Sequence, residues 1–365
     1  MDTFQKANIL TSAGHYDSCG PKMCEVNVNK GLGGIYTAKA EHESCRIFKT
    51  LMSNSCSFDC KYCQNTCKNN KASFEPMELA RLFDHLHKNL DVNGLFLSSG
   101  VTINPDYATE KMIEAVKIIR NSYNFNGYIH FKVLPGTSRH LIQEASMYAN
   151  RMSINVEAPN GTILSELSSC KDFRNDILKR QSWIQSINPR SGQSTQVILN
   201  KSSTDKDVLK LMRYEYEYMN LKRVYYSAFT PVAGTALENA PAESRVRESR
   251  LYNVDFLLRI YGYKYKEFSS IMDNDMLPRG DPKLELAKIS FDRPIDVNEC
   301  DYNQLIHIPG IGPRTATAII TRRQKEKIIS YVQLDKLGTT IDRAKPFIEI
   351  NGMRQSNLGE FALDK

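Results

Sequence analysis

Between residues 45 and 263 the chain alternates short β-rich runs with longer segments of helical spacing, six times over. The runs are CRIFKTLMS (45–53), GLFLSS (94–99), YIHFKVL (128–134), RMSINVE (151–157), STQVIL (194–199) and KRVYYSAF (222–229). The intervening helical segments are PMELARLFDHLHKNL (76–90), ATEKMIEAVKIIR (108–120), SRHLIQEASMYA (138–149), one or two helices within 161–188, and TDKDVLKLMRYEYEYMN (204–220). ESRVRESRLYNVDFLLRIYGY (243–263) follows the sixth run. Strand–helix units in series build a parallel sheet through right-handed crossovers. The runs are apolar or small-residue, as strands covered on both faces require. A doubly wound sheet and a barrel or part-barrel both satisfy this pattern, and strand count does not separate them.

The flanks differ in character. Residues 1–44 are poorly periodic and Gly-rich in VNKGLGGIY, and are expected to form an irregular cap. Residues 264–296, with DMLPRGDPK and DRP, read as a linker with turns. Residues 297–351 read as a small helical domain, and 352–365 as a tail. Charged residues make up 24% and hydrophobic ones 41%, within the range of globular domains, so a packed core is expected. No run reaches about 18 apolar residues, so no membrane span is expected. The first residues lack a basic stretch followed by an apolar one, so no secretory signal is expected and a cytoplasmic location is. Nine cysteines in such a chain are expected to be ligands, catalytic groups or buried small side chains rather than disulfides.

Cys56, Cys60 and Cys63 stand in a C-x3-C-x2-C array directly after the first predicted strand, with Cys67 four residues on. Three readings compete: buried hydrophobes, a structural zinc site and an iron–sulfur cluster. Zinc sites usually pair two C-x2-C elements across a longer gap, and no later C-x2-C completes one here. Closely spaced thiolates suit an iron–sulfur cluster. The carboxyl end of a parallel strand is where α/β folds place reactive loops. Cys67 is either a bystander or a fourth ligand that would close the cluster; Cys19, Cys24 and Cys45 add the option of an extra metal site.

Ser153, Asn155 and Glu157 share one face of the fourth predicted strand by period-2 spacing. Buried polar groups there need partners. Lys132 and Gln196 on the neighbouring strands face the same requirement.

At the C-terminal end, LIHIPGIGPRTATAII (305–320) has the form of two helices joined by a tight Gly turn. Gly310 and Gly312 permit the turn, and backbone N–H groups of Gly310, Ile311 and Gly312 at a helix start suit a phosphate. Arg314 and Thr315 are placed to add contacts. Residues 310–349 hold eight Lys/Arg against four Asp/Glu, and LDKLGTTIDRAKPFI (334–348) echoes the hairpin. Such a module grips a backbone without reading bases.

The cysteine array, with Tyr62 before its last Cys, resembles the signature of radical S-adenosylmethionine (SAM) enzymes. The hairpin resembles the helix-hairpin-helix of DNA repair proteins. ILTSAGHYDSC (9–19), GLFLSSGV (94–101), SINVEAP (153–159), RVYYSAFTPVAGT (223–235) and RESRLYNVDFLLRIYGY (247–263) extend the resemblance to a radical SAM family associated with DNA modification and repair and with a uracil-DNA-glycosylase-like partner. It implies a partial (βα)6 TIM-type barrel plus a small all-α helix-hairpin-helix domain. It also implies a [4Fe–4S] cluster on Cys56, Cys60 and Cys63, SAM at its open iron, an electron donor, and radical chemistry on DNA. SAM contacts are then expected from Tyr62, Ser98, Ser99, Gly100, Lys132, Ser153, Asn155, Glu157 and Gln196. Ser98-Ser99-Gly100 stands where the superfamily often carries Gly-Gly-Glu, and lacks the acid. The alternatives are the same chemistry on RNA, a protein substrate, and a non-catalytic cluster-bearing DNA-binding protein.

Overall fold

The computed structural model describes residues 1–14, 33–39, 44–67 and 70–352. The chain divides into two compact units, Met1–Glu248 and Ser249–Lys365. The first unit holds α1 (Thr3–Ala13), β1 (Ile35–Lys39), β2 (Ser44–Leu51), α2 (Pro76–Leu90), β3 (Gly94–Ser98), α3 (Pro105–Asn121), β4 (Tyr128–Lys132), α4 (Arg139–Ser146), β5 (Arg151–Ser153), α5 (Gly161–Leu167), α6 (Lys179–Ile187), β6 (Gln193–Leu199), α7 (Asp205–Glu217) and β7 (Arg223–Ala228). Helix α8 (Arg245–Phe256) spans the division.

The six predicted strands are β2 to β7. They lie in sequential order, each parallel to the next, with β1 antiparallel at the β2 edge. A doubly wound sheet requires a point where strand order reverses. None occurs among these strands, so the sheet winds in one sense and curls as an open part-barrel, with the carboxyl ends of β2 to β7 on the same rim.

The outer helices form where the sequence supplies an apolar stripe and a start signal. In α2, Glu75 caps the N-terminus, Pro76 occupies the first turn, and Leu79, Leu82, Phe83 and Leu86 are buried at helical spacing. Burying a Leu or Phe side chain contributes about 1.5–3 kcal/mol. Asn104 caps α3 by accepting from the Tyr107 N–H, and Met112, Val116 and Ile119 are fully buried. The Arg120 guanidinium donates to the carbonyls of Phe125, Gly127 and Tyr148, satisfying acceptors after α3, before β4 and after α4.

Two expectations need correction. The cap is not irregular throughout: α1 is closed by a reciprocal capping box between Asp2 and Gln5, and β1 covers the sheet edge. The expected linker, 264–296, contains α9 (Tyr265–Ser269) and α10 (Pro282–Ser290). Asp281 accepts from the Lys283 N–H and Pro282 opens the helix, so DPK starts a helix rather than a turn. The segment 161–188 resolves into α5, a π-helical stretch at Phe173–Leu178, and α6. Cys19, Cys24, most of the Gly-rich stretch and the tail from 353 lie outside the described residues.

In the second unit, β8 (Ile295–Asp296), α11 (Tyr302–His307), α12 (Pro313–Arg323), α13 (Tyr331–Lys336), α14 (Ile341–Ala344) and β9 (Ile348–Glu349) follow α10. Val297, Leu305, Ile308, Ile311, Ile319, Leu334 and Ile348 form its core. No helix among the described residues is long and apolar enough to cross a membrane.

Candidate active site and hairpin

The cysteine loop leaves the carboxyl end of β2 and is tied to the end of β3. The Met52 N–H donates to the Ser98 carbonyl (2.7 Å), Gly100 N–H to Ser53 (2.6 Å) and Ser57 N–H to Val101 (2.8 Å). Gly100 is required for this approach, because a Cβ there would lie 2.4 Å from the Ser55 carbonyl oxygen. The Val101 N–H donates to Cys56 Sγ at 3.4 Å. The Ser-Ser-Gly turn thus holds the cysteine loop and hydrogen-bonds one of its sulfurs.

Above the rim is a cavity of about 1180 Å³, counting its open mouth. Cys56, Cys60 and Cys63 line it, together with Tyr62, Ser98, Ser99, Gly100, Lys132, Asn155, Glu157 and Gln196. Apolar walls come from Leu51, Val133, Leu134, Ile198, Phe229 and Val232. Of the sequence-predicted cofactor contacts, Ser153 is not brought to the cavity lining. It is buried, and its Oγ lies 2.8 Å from His130 Nε2. The predicted strand stops at Ser153 rather than Glu157, because Thr195 Oγ1 bonds the Ile154 carbonyl and the Val156 N–H and diverts the chain. Glu157 then takes φ of +62°, a rare conformation for a non-glycine residue. It is anchored to β6 by its N–H on Gln196 and its carbonyl on Ile198.

Two residues not singled out from the sequence support the cysteine loop. Asp59 accepts from Ser168 Oγ (2.6 Å), Ser169 Oγ (2.5 Å), and the N–H groups of Ser169 and Cys170. Burial opposes ionisation of Asp59, but these donors outweigh it and hold the carboxyl well below its usual range. The loop so clamped presents Lys171, whose Nζ donates to Tyr62 Oη at 3.5 Å and lies 3.7 Å from Glu157 Oε1. Burial disfavours its charge, but Cys60 and Glu157 outweigh burial and push the ammonium pKa up. Burial likewise raises the Cys63 thiol to about 12, so ligation is what would deprotonate it. The segment 168–178 is polar and aperiodic, and the one available signal was an acid, Asp59, inside the cysteine array.

Cys67 is absent from the cavity lining: its Sγ donates to the Gly234 carbonyl at 3.2 Å. Cys45 is on β2, against Gly94. No group of three or more His, Cys, Asp or Glu among the described residues is arranged to hold a single metal ion. Three thiols on one cavity beside Lys171, with the fourth turned aside, fit a thiolate-bound cluster with one position left for a ligand.

In the second unit, Gly310 (φ +86°) turns the chain between α11 and α12, and a Cβ there would meet the Thr340 carbonyl oxygen at 2.4 Å. The 334–348 echo is a second hairpin, α13 to α14, with Gly338 (φ +94°) at its turn. The two lock reciprocally: the Thr340 N–H donates to the Gly310 carbonyl (2.9 Å), and Thr315 Oγ1 to the Gly338 carbonyl (3.1 Å). Thr315 and the Ile311 side chain are therefore interior, and the Ile311 carbonyl accepts from buried Lys283 Nζ at 2.6 Å. The Gly310 and Gly312 N–H groups make no backbone hydrogen bond among the described residues. Gly312 caps α12, and Arg314 in its first turn is exposed.

A model of the radical SAM superfamily matches residues 50–179, and a helix-hairpin-helix motif model matches residues 291–338. The chain carries a radical SAM domain, of the superfamily that uses a [4Fe–4S] cluster and SAM, and a helix-hairpin-helix motif. Among solved structures, methylornithine synthase (PylB) is 15% identical with a TM-score of 0.50, the match covering 58% of this chain and 61% of that one. HydG of Carboxydothermus hydrogenoformans, a hydrogenase maturase, is 12% identical with a TM-score of 0.48, covering 58% and 50%. Coproporphyrinogen III oxidase (HemN) of Escherichia coli is 17% identical with a TM-score of 0.39, covering 63% and 55%. The first of these supports the fold alone, over about three fifths of that enzyme. No curated protein sequence matches.

Proposed function

We propose that the chain is a radical SAM enzyme acting on DNA, where it modifies or repairs a nucleobase. The observation that carries this reading is the presence in one chain of a three-thiol cavity at a barrel rim and of a helix-hairpin-helix motif. Cys56, Cys60 and Cys63 would hold the cluster. When bound, cluster and SAM supply a 5′-deoxyadenosyl radical that abstracts hydrogen from the substrate. Asn155, Glu157, Gln196 and Lys132 offer polar groups to a cofactor rich in hydroxyls and charge. Leu51, Leu134, Phe229 and Val232 keep water from the reacting centre. A base in a duplex would have to be flipped out of the stack to reach it.

The hairpin's part is backbone grip: the Gly310 and Gly312 N–H groups and Arg314 would face a phosphate, whereas the expected Ile311 N–H is already given to the Ile308 carbonyl at 3.1 Å. This restricts the expected DNA contacts from Thr315, whose hydroxyl is already spent on Gly338. The resemblance to a DNA modification and repair family also implies a uracil-DNA-glycosylase-like partner, and the chemistry requires an external one-electron donor.

Fluorescence anisotropy of the full chain on matched DNA and RNA duplexes tests the substrate class. The reading expects preference for DNA, and a loss on Arg314→Ala that is uniform across sequences and lowers the salt slope by about 1. Preference for RNA would move the substrate to RNA. Absence of binding to either would remove the nucleic-acid reading.

A further inference from the structure

Two lysines line the cavity. Lys132 comes from β4. Lys171 comes from the loop after α5 and lies against the cysteine loop itself. Its side chain is 6% exposed. Its Nζ donates to the hydroxyl of Tyr62, the residue before Cys63, at 3.5 Å, and is 5.9 Å from the ring centres of both Phe58 and Tyr62. The carboxylate nearest to it, Glu157, is at 3.7 Å, beyond direct hydrogen-bond distance. A buried ammonium is costly unless compensated, and one carboxylate at that distance compensates it incompletely. Asp59, inside the cysteine array, fixes the Lys171 loop through Ser168, Ser169 and Cys170. The Lys61 N–H adds a bond to the Leu167 carbonyl (2.9 Å), and Lys61 Nζ one to the Glu166 carbonyl (2.7 Å). The charge is thus held against the cysteine loop by a built clamp rather than by a free side chain.

We infer that Lys171 is the charge partner of the cluster: its ammonium, held against the cysteine loop in the cavity that the three thiols line, stabilises the reduced form and raises the cluster's reduction potential. Reduction adds one electron, taken from the external donor, and makes the thiolate-bound group more negative. A fixed cation in the cluster's own cavity therefore favours the reduced state, since net charge is among the factors that set such potentials. The inference rests on the cofactor reading above, and cluster content and potential are separate readouts.

The test uses the full chain, reconstituted anaerobically with iron and sulfide. Iron and sulfide per chain are measured first. The midpoint potential is then read by electron paramagnetic resonance in a redox titration without SAM. Lys171→Met should retain the cluster and lower the reduction equilibrium about tenfold, which is about 59 mV for one electron. Lys171→Arg, which keeps the charge, should stay close to wild type. If Lys171→Met does not load, Lys171→Gln takes its place. A loaded neutral variant with the wild-type potential overturns the inference. So does weakened SAM binding at unchanged potential, which would make Lys171 a cofactor contact only. Loss of the cluster in the Met, Gln and Arg substitutions alike would assign Lys171 a structural role and overturn it too. A wild-type chain that takes up no cluster would sink the cofactor reading itself, and this inference with it.

Discussion

Glu215 and Gln181 form a buried pair whose protonation should be visible in the stability of the barrel unit. Glu215 is on α7 and Gln181 on α6, both with no exposed surface, and Gln181 Nε2 donates to Glu215 Oε2 at 3.0 Å. The other oxygens of the two side chains, Glu215 Oε1 and Gln181 Oε1, have no hydrogen-bond partner. A proton on Glu215 Oε1 would let each serve the other. Burial raises the carboxyl from 4.5 to about 8, against the opposing pull of the Gln181 bond. The folded pKa is thus above the unfolded one, so the folded state holds the proton more tightly. Its contribution is complete below pH 4.5 and is lost as pH rises towards 8. At about 1.36 kcal/mol per unit, the loss between pH 4.5 and 7 is about 3 kcal/mol, an upper figure. Glu215→Gln places a neutral amide there at every pH and preserves both bonds of the pair. It should match wild type within about 1 kcal/mol near pH 5, and exceed it by about 2–3 kcal/mol at pH 7. Urea unfolding at a series of pH values would show this, followed by the fluorescence of Trp183, the chain's single tryptophan, on α6. Parallel stability–pH curves for the two proteins would refute the protonated pair.

Further predictions concern the site. Gly100→Ala drives a Cβ to 2.4 Å from the Ser55 carbonyl, so the cysteine loop must shift; iron bound per chain should fall severalfold while α-helical circular dichroism is retained. Full loading in that variant would show that the contact is not limiting. Cys67→Ala should keep iron, sulfide and absorbance at wild-type levels, because Cys67 bonds Gly234 outside the cavity; loss of the cluster would make it a ligand. Leu79→Ala, which empties a fully buried position on α2, should cost about 2–5 kcal/mol of barrel stability by urea unfolding. A change under 1 kcal/mol would mean that α2 contributes little to the core.

The barrel was legible because its signals are local and repeated. Runs such as GLFLS (94–98) and STQVIL are buried along their whole length, and the apolar stripe of α2 repeats at helical spacing. Strand order was not legible, since pairing is a tertiary property. Helix α1 was missed because only Ala7, Leu10 and Thr11 are buried, although the D-x-x-Q capping box at Asp2–Gln5 was there to be read. The cysteine array revealed the thiols, but not what surrounds them. Lys171 reaches the site through a polar, aperiodic loop clamped by Asp59, over a sequence separation no local pattern spans. Period-2 spacing grouped Ser153 with Asn155 and Glu157, but only those two line the cavity, while the Ser153 hydroxyl is taken by His130. In the second unit the hairpin motif was plain, whereas Thr315 was taken for a phosphate contact because its bond to Gly338 belongs to the packing of two hairpins.

The central claim is tested most directly by anaerobic turnover. The chain is reconstituted with iron and sulfide, supplied with SAM and dithionite, and 5′-deoxyadenosine is quantified with and without duplex DNA. The account predicts production that disappears in Cys56→Ala, Cys60→Ala and Cys63→Ala, persists in Cys67→Ala, and rises with DNA. A fully loaded cluster that yields no 5′-deoxyadenosine, under conditions where methylornithine synthase is active, would contradict it.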